Sequence, residues 1–355
     1  MLKYILTIAA LICFISLTQA QTAANLQKSA TIFLNSLSAD QRKQTVYAFE
    51  DSARSKWTNL PVGIVPRAGI QYGSLSEESR IAFHQVLSAA LSSQGYLKLT
   101  SIMQLDDILN SLFQTSYEKG EINKEMLTRM QDLKWAHENY YIAIFGNPEE
   151  KAWAMSFGGH HIAFNITSVD KKISYSPLFI GTDPALIQKG KYAGWRVLSK
   201  EEDYGFMLIN FLNDRQKAKA VLSQEVPRDI ITNPNSSQRI TEYYGISAKE
   251  FNADQQEILK LLIQEYTHDF DHETAHALYE RILKTGIDKI YFAWIGSQEK
   301  LKPHYYIINA PDLLIEYDNF QNKGNHIHAI VRAKENDFGA DLLKQHYLTS
   351  EHHKN

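Results

Sequence analysis

Leu313-Leu-Ile-Glu-Tyr-Asp-Asn-Phe-Gln-Asn-Lys-Gly-Asn-His-Ile-His-Ala-Ile-Val-Arg332 reads as two strands joined by a polar loop. Along the first strand Leu313, Ile315 and Tyr317 share one face, with Glu316 and Asp318 on the other. Along the second, Ile327, Ala329 and Val331 oppose His326, His328 and Arg332. Side chains alternate across a strand, so each strand has an apolar and a polar side. With both apolar sides on one core, the simplest antiparallel register sets Asp318 beside His326 and Glu316 beside His328, each pair roughly 5 Å apart at Cβ. Cross-strand ion pairs on a solvated face would account for one such pair. Two stacked pairs beside Asn319, Asn322 and Asn325 point instead to a functional site.

Outward from this hairpin, Ile290 to Gly296 and His304 to Asn309 also read as strands, giving a block over about 289–333. An earlier block covers about 140–181: Tyr140 to Phe145, Trp153 to Phe157, His160 to Val169 and Ile173 to Gly181. Each block follows a helical layer. Ser38-Ala-Asp-Gln41 is a capping-box start, with Val46, Phe49 and Ala53 continuing at helical spacing, and Ser74-Leu-Ser-Glu77 is another start. A further helix carries Ile102, Leu105, Ile108 and Leu109. In the second layer Ser199-Lys-Glu-Glu202 and Asn213 open helices, followed by helices over 253–266 and 271–284. Phe145-Gly-Asn-Pro-Glu-Glu-Lys151 and Ile295-Gly-Ser-Gln-Glu-Lys300 occupy comparable places, which suggests an internal duplication with halves of about 21–183 and 184–350 inside a single domain. Short turns favour antiparallel pairing, and glycine-rich phosphate loops are absent. The expected fold class is α+β.

Lys3, the apolar run Tyr4 to Ser16 and Thr18-Gln-Ala20 have the form of an export signal cleaved after Ala20. The expected location is the bacterial periplasm or the extracellular space. Cys13 is the only cysteine, so the mature chain has neither disulfides nor thiolate chemistry. A net charge of -3 without a basic run argues against nucleic acid as a partner, and no stretch past residue 20 could stay inserted in a bilayer. Asn235-Ser-Ser237 is a sequon in a polar loop, and the tail 351–355 is expected to fray.

Phe157-Gly-Gly-His-His-Ile-Ala-Phe-Asn-Ile-Thr167 is the second place where chemistry gathers. His160 shares a face with Ile162, Phe164 and Ile166 and reads as a buried, hydrogen-bonded residue, whereas His161 lies on the polar side with Asn165 and Thr167. Two histidines and a carboxylate commonly hold zinc or non-haem iron. His161, His326 and His328 are the expected ligands of a divalent metal, with Glu316 and Asp318 as acid–base or orienting groups and His160, Asn165, Asn319 and Asn325 in support. Both histidine groups follow Gly- or Asn-rich turns and are expected to meet. His272-Glu-Thr-Ala-His276 spells the H-E-x-x-H pattern of zinc peptidases, but His272 borders an apolar helix side and no second motif fixes a third ligand. Trp57, Trp153, Trp195 and Trp294 could line a cleft, and tryptophans are more often core.

Trp153-Ala-Met-Ser-Phe-Gly-Gly-His-His161, Pro177-Leu-Phe-Ile-Gly-Thr-Asp-Pro184, Ile315-Glu-Tyr-Asp-Asn319, Asn325-His-Ile-His328 and Asp337-Phe-Gly-Ala-Asp-Leu-Leu343 together resemble the bacterial domain-of-unknown-function family numbered 3500. Arg54-Ser-Lys-Trp57 with Leu60-Pro61 resembles its N-terminal part, so the likeness covers nearly the whole mature chain. It implies one family-wide unit, and it implies that His160, His161, Glu316, Asp318, His326 and His328 belong to the family's motifs. It carries over no catalytic role. Two functions remain as expectations: an exported enzyme, hydrolytic or oxidative, acting on a small polar substrate, or a non-catalytic protein that binds a metal ion or small polar ligand. The zinc peptidase is the lesser alternative.

Overall fold

A computed structural model describes residues 21–234, 236 and 238–349. The expected signal with its cleavage point at Ala20, the sequon residues Asn235 and Ser237, and the C-terminal tail lie outside the described residues. Residues 21–36 form helix α1. The first half continues with α2 (Ala39–Thr45), β1 (Val46–Tyr47), β2 (Ile70–Gln71), α3 (Glu77–Ala90), α4 (Ser93–Glu118) and α5 (Lys124–Asp132). Its strands are β3 (Tyr141–Phe145), β4 (Ala152–Gly158), β5 (Ile162–Val169), β6 (Lys172–Ser174) and β7 (Leu178–Thr182). The second half has α6 (Ser199–Phe211), α7 (Asp214–Ala220), β8 (Val221–Ser223), β9 (Ile246–Ser247), α8 (Ala253–Thr267) and α9 (His272–Lys284). It then has β10 (Tyr291–Gly296), β11 (His304–Asn309), β12 (Leu313–Phe320) and β13 (His326–Ala333), before a last helix, Ala340–Thr349.

Local chemistry explains the starts and stops. Ser38 and Gln41 form a reciprocal capping box on α2, and Asn213 and Gln216 form the same box on α7. The helix opened by Ser38 stops at Thr45, and the β-branched Val46 enters β1, so the expected continuation through Phe49 and Ala53 does not occur. Ser76, not Ser74, caps α3, and α6 begins at Ser199 without a side-chain cap. The expected strand Ile173 to Gly181 is divided at Ser176-Pro177 into β6 and β7, since proline cannot donate to a ladder.

The thirteen strands of the described residues join one sheet, in the order β1-β3-β4-β5-β7-β13-β12-β11-β10-β8, with β2 on β3, β6 on β5 and β9 on β10. The two halves repeat one succession. In each, a short strand pairs parallel to the first long strand (β1 on β3, β8 on β10) and another pairs antiparallel to it (β2 on β3, β9 on β10). Gly146 and Gly296 each leave that long strand at positive φ, the conformation glycine adopts without steric cost. The halves meet where β7 pairs antiparallel with β13. The fold class is α+β.

One sheet face carries the main core, where Ile144, Phe157, Phe164, Ile315, Tyr317 and Ile327 pack against the helices. The other face is covered by two long segments, 48–69 in the first half and, in the second, residues 224–234 and 238–245. Trp57 and Ile230 join a cluster on Ala163, Phe179 and Ile330, while Ile240 joins one on Ala293, Tyr305 and Ile307. Trp153 and Trp294 are fully buried core residues. Among the described residues no helix is long and apolar enough to cross a membrane.

Candidate metal centre

The hairpin exists, and its register differs from the simplest one. Asp318 pairs with His328, and Glu316 pairs with Ile330. The turn closes with a Gln321–His326 bridge, and two residues of β12, Phe320 and Asn319, then run against one of β13, Ile327, before Asp318 meets His328. That is a bulge, and it moves the ladder along. Asn322 and Lys323 take left-handed conformations in the turn, and Asn319 Oδ1 accepts the His326 N–H at 2.9 Å. Glu316 therefore faces no histidine. Its buried carboxylate accepts the Ile231 N–H at 2.8 Å, the Thr232 N–H at 3.2 Å and the hydroxyls of Tyr305 and Thr232. Arg332 holds the same segment through Thr232 O at 2.8 Å. Burial pushes the Glu316 carboxyl up despite these donors. Its role in the geometry is to clamp the covering segment of the second half.

The clamp matters because it presents Asp229. At one end of the central strands, four imidazoles gather from the segment before β5 and from the start of β13. His326 Nε2 lies 2.9 Å from His161 Nε2 and 3.1 Å from His328 Nε2. Gly181 of β7 makes room for two of the rings: a Cβ there would stand 2.7 Å from His161 Cδ2 and 3.1 Å from His328 Cδ2. His160 stacks on His161, with ring centroids 3.6 Å apart, and on Trp135.

Each converging ring turns its other nitrogen to a carboxylate. His328 Nδ1 meets Asp229 Oδ1 at 2.8 Å, His326 Nδ1 lies 3.3 Å from Asp183 Oδ2, and His161 Nδ1 lies 3.8 Å from Asp106 Oδ1. Asp106 also takes His160 Nδ1 at 3.1 Å and the Tyr140 hydroxyl at 2.7 Å. Asn59 donates to Asp229 at 2.7 Å, and Asn322 donates to Asp183 at 2.9 Å. These carboxylates come from α4, from the turn after β7 and from the segment 224–234, so all three surroundings of the site converge here.

The electrostatics favour a neutral imidazole at His161 and at His326. Burial, reinforced by His160, pushes His161 down to about 3. Burial, with His328 and His161, pushes His326 well below its ordinary range. Burial works to raise Asp106, yet His160 and His161 hold it well below the usual carboxylate range. Asp229 is likewise lowered against burial, by His328. Burial raises Asp183 to about 7, and the Asn322 amide offsets this only in part.

An imidazole whose single proton sits on Nδ1, the nitrogen turned toward the aspartate, carries a lone pair on Nε2. Bringing such lone pairs to within about 3 Å of one another is repulsive unless a proton or a cation lies between them. Ligand bonds of about 2.0–2.1 Å put neighbouring ligand atoms roughly 2.9–3.4 Å apart in octahedral or tetrahedral geometry. The two observed separations fit that spacing. Carboxylates on the far nitrogens are the usual means of fixing the tautomer of metal-binding histidine.

Metal-capable side chains form two groups of three among the described residues: His160, His161 and His326, and Asp229, Asp318 and His328. The second group adds Asp318, whose Oδ1 accepts the Phe320 N–H at 3.1 Å while its buried Oδ2 has no partner. Burial, then Asp229, pushes this carboxyl well above its ordinary range. Neither group contains His272 or His276, which are exposed on α9, and Glu273 accepts a hydrogen bond from Thr22 at 2.6 Å. The supporting residues hold the frame. Asn325 Oδ1 accepts the Leu186 N–H at 2.7 Å, and Asn165 donates to Pro177 O at 3.0 Å, away from the imidazoles.

Asp106, Asp183 and Asp229 escaped the sequence reading. Asp106 interrupts an apolar helix side between Leu105 and Ile108, a signal that an acid is buried there for a reason. Asp183 lies inside a quoted motif, Pro177 to Pro184. Asp229 stands in an irregular segment without any pattern. No curated protein and no solved structure matches the chain. Residues 19–340 match the family described as a protein of unknown function, DUF3500, and the chain belongs to that family.

Proposed function

We propose that the protein is an exported, metal-dependent enzyme whose centre holds one divalent transition metal, zinc or iron, through His161, His326 and His328. The observation that carries this reading is the place of His326 Nε2, 2.9 Å from His161 Nε2 and 3.1 Å from His328 Nε2, with an aspartate on the far side of each ring. Three protein nitrogens leave open positions, which a catalytic metal needs and a structural one does not. Asp318, with an unpartnered carboxylate oxygen beside His328, supplies a group able to hold a proton or a polar substrate there. Hydrolytic and oxidative chemistry both use such a ligand set.

Elemental analysis of the purified mature protein tests the reading, with wild type beside His326→Ala. Wild type is expected to retain close to one equivalent of metal and the variant to lose it. Wild type that takes up no transition metal removes the proposal. Activity screening of metal-loaded against chelator-treated protein then separates catalysis from storage. Export is tested by the N-terminus of the mature protein, expected at Gln21.

A non-catalytic binding protein is the second reading, favoured by one feature. His161 and His328 are 1% and 4% exposed, beneath the contact of the two covering segments at Asn59 and Asp229. The peptidase alternative draws no support from exposed His272 and His276.

A further inference from the structure

The two covering segments lie over equivalent strands, and the strands beneath them differ. Ladder pairing sets Ala143 opposite Ser156 and Ser156 opposite Asn165 in the first half. The same positions in the second half set Ala293 opposite Ile307 and Ile307 opposite Glu316. Ala154 corresponds in this way to Tyr305, and Ala163 to Leu314. Large side chains fill the space in the second half, and Glu316 brings a carboxylate that meets the N–H groups of the segment above it. The first half has small side chains and no carboxylate at these positions.

What it has instead is a cavity of about 40 Å³ beneath residues 53–68, bordered by Lys56, Trp57, Arg67, Tyr141, Ser156 and Asn165. On the scale where one water needs about 10–15 Å³, this is room for about three waters, the bulk of a carboxylate or phosphate head. No acidic side chain borders it. Arg67 donates only to neutral carbonyls, among them Leu60 O at 2.5 Å, Gly159 O at 2.6 Å and Thr58 O at 3.2 Å, and it has no ion-pair partner among the described residues. A half-buried guanidinium without a counter-charge is costly, and a bound anion would remove that cost.

We infer that this cavity takes the oxyanion group of a small ligand, which supplies to the first half the negative charge that Glu316 supplies to the second. Trp57 packs on Phe179 at 5.4 Å between ring centroids, and Phe179 meets His328 edge-on at 5.3 Å, so two rings separate the cavity from the imidazoles and the anion site stands apart from the metal centre.

Calorimetric titration of the mature protein with acetate and with inorganic phosphate tests the inference, on chelator-treated and on metal-loaded samples. Saturable one-site binding is expected in both samples, with the preferred anion reporting planar or tetrahedral chemistry. Arg67→Gln should weaken it at least tenfold and Lys56→Gln, on an exposed side chain that folding does not need, several-fold. Asn165→Glu, which installs the counterpart of Glu316, should abolish anion binding and raise Tm. Absence of saturable binding overturns the inference, as does wild-type binding in both Lys56→Gln and Asn165→Glu. Binding seen only with metal and unaffected by Lys56→Gln places the anion on the metal and overturns the cavity site, leaving the metal centre standing. Equal binding with and without metal upholds the cavity site.

Discussion

The halves of this molecule share a strand order, and the two ends of the strands where they meet carry different chemistry. At one end of the central strands β7 and β13, four histidines and four aspartates close on one another. At the opposite end, Tyr175, Leu313, Ala333 and Arg281 border an open cavity of about 320 Å³ that no imidazole lines. The same backbone plan thus supports a dense polar centre and an ordinary surface hollow. The repeated architecture does not itself make the site; particular residues at one end do.

The sharpest way to break this comparison is to exchange the roles of equivalent residues. Glu316→Gln should destabilise the protein by about 2–4 kcal/mol, because its NH2 would face buried donors that a carboxylate oxygen now serves. Its first-half counterpart, Asn165→Ala, should cost only about 1 kcal/mol for one hydrogen bond. Urea unfolding of the two variants measures both, and equal losses would mean that the halves are not held differently.

Acid should act next most strongly. Burial pushes His304 down to about 4, and His161 is held at about 3. A histidine lowered in the folded chain takes its proton more readily when unfolded. Stability is therefore full above the ordinary value near 6.5 and is lost as pH falls below it. For His304 alone the loss is about 3 kcal/mol, and His304→Phe should flatten the curve of Tm against pH between roughly 6.5 and 4. A Tm that is flat over that window in wild type contradicts the assignment of neutral buried rings.

Gly181→Ala should cost about 1–3 kcal/mol, since the new methyl also meets Ile327 O at 2.7 Å, and it should weaken metal binding by pushing two rings apart. Asp229→Asn keeps the fold but loosens His328, with metal affinity falling about 10–100-fold in a competition titration. Unchanged affinity would mean that His328 is not a ligand. Smallest of all, Glu273→Gln should leave metal content untouched and cost at most about 1 kcal/mol through its bond with Thr22.

The sequence made local chemistry legible and left distant chemistry hidden. The boxes at Ser38 and Asn213 could be read because cap and partner lie three residues apart. The alternation of β12 and β13 revealed that Asp318, Glu316 and His328 share a face. It could not reveal the bulge near Phe320, which depends on two successive left-handed residues, Asn322, which favours that conformation, and Lys323, which does not. For the same reason Glu316 was assigned to the wrong neighbour. Asp106, Asp183 and Asp229 reach the imidazoles across 54, 143 and 99 residues of chain respectively, and nothing in a strand pattern encodes such meetings.

X-ray absorption spectroscopy of the metal-loaded mature protein tests the central claim most directly. The account predicts a shell with three imidazole nitrogens at about 2.0–2.1 Å, reduced in His161→Ala, His326→Ala and His328→Ala alike. A shell made only of oxygen, or one unchanged when these histidines are removed, would contradict it.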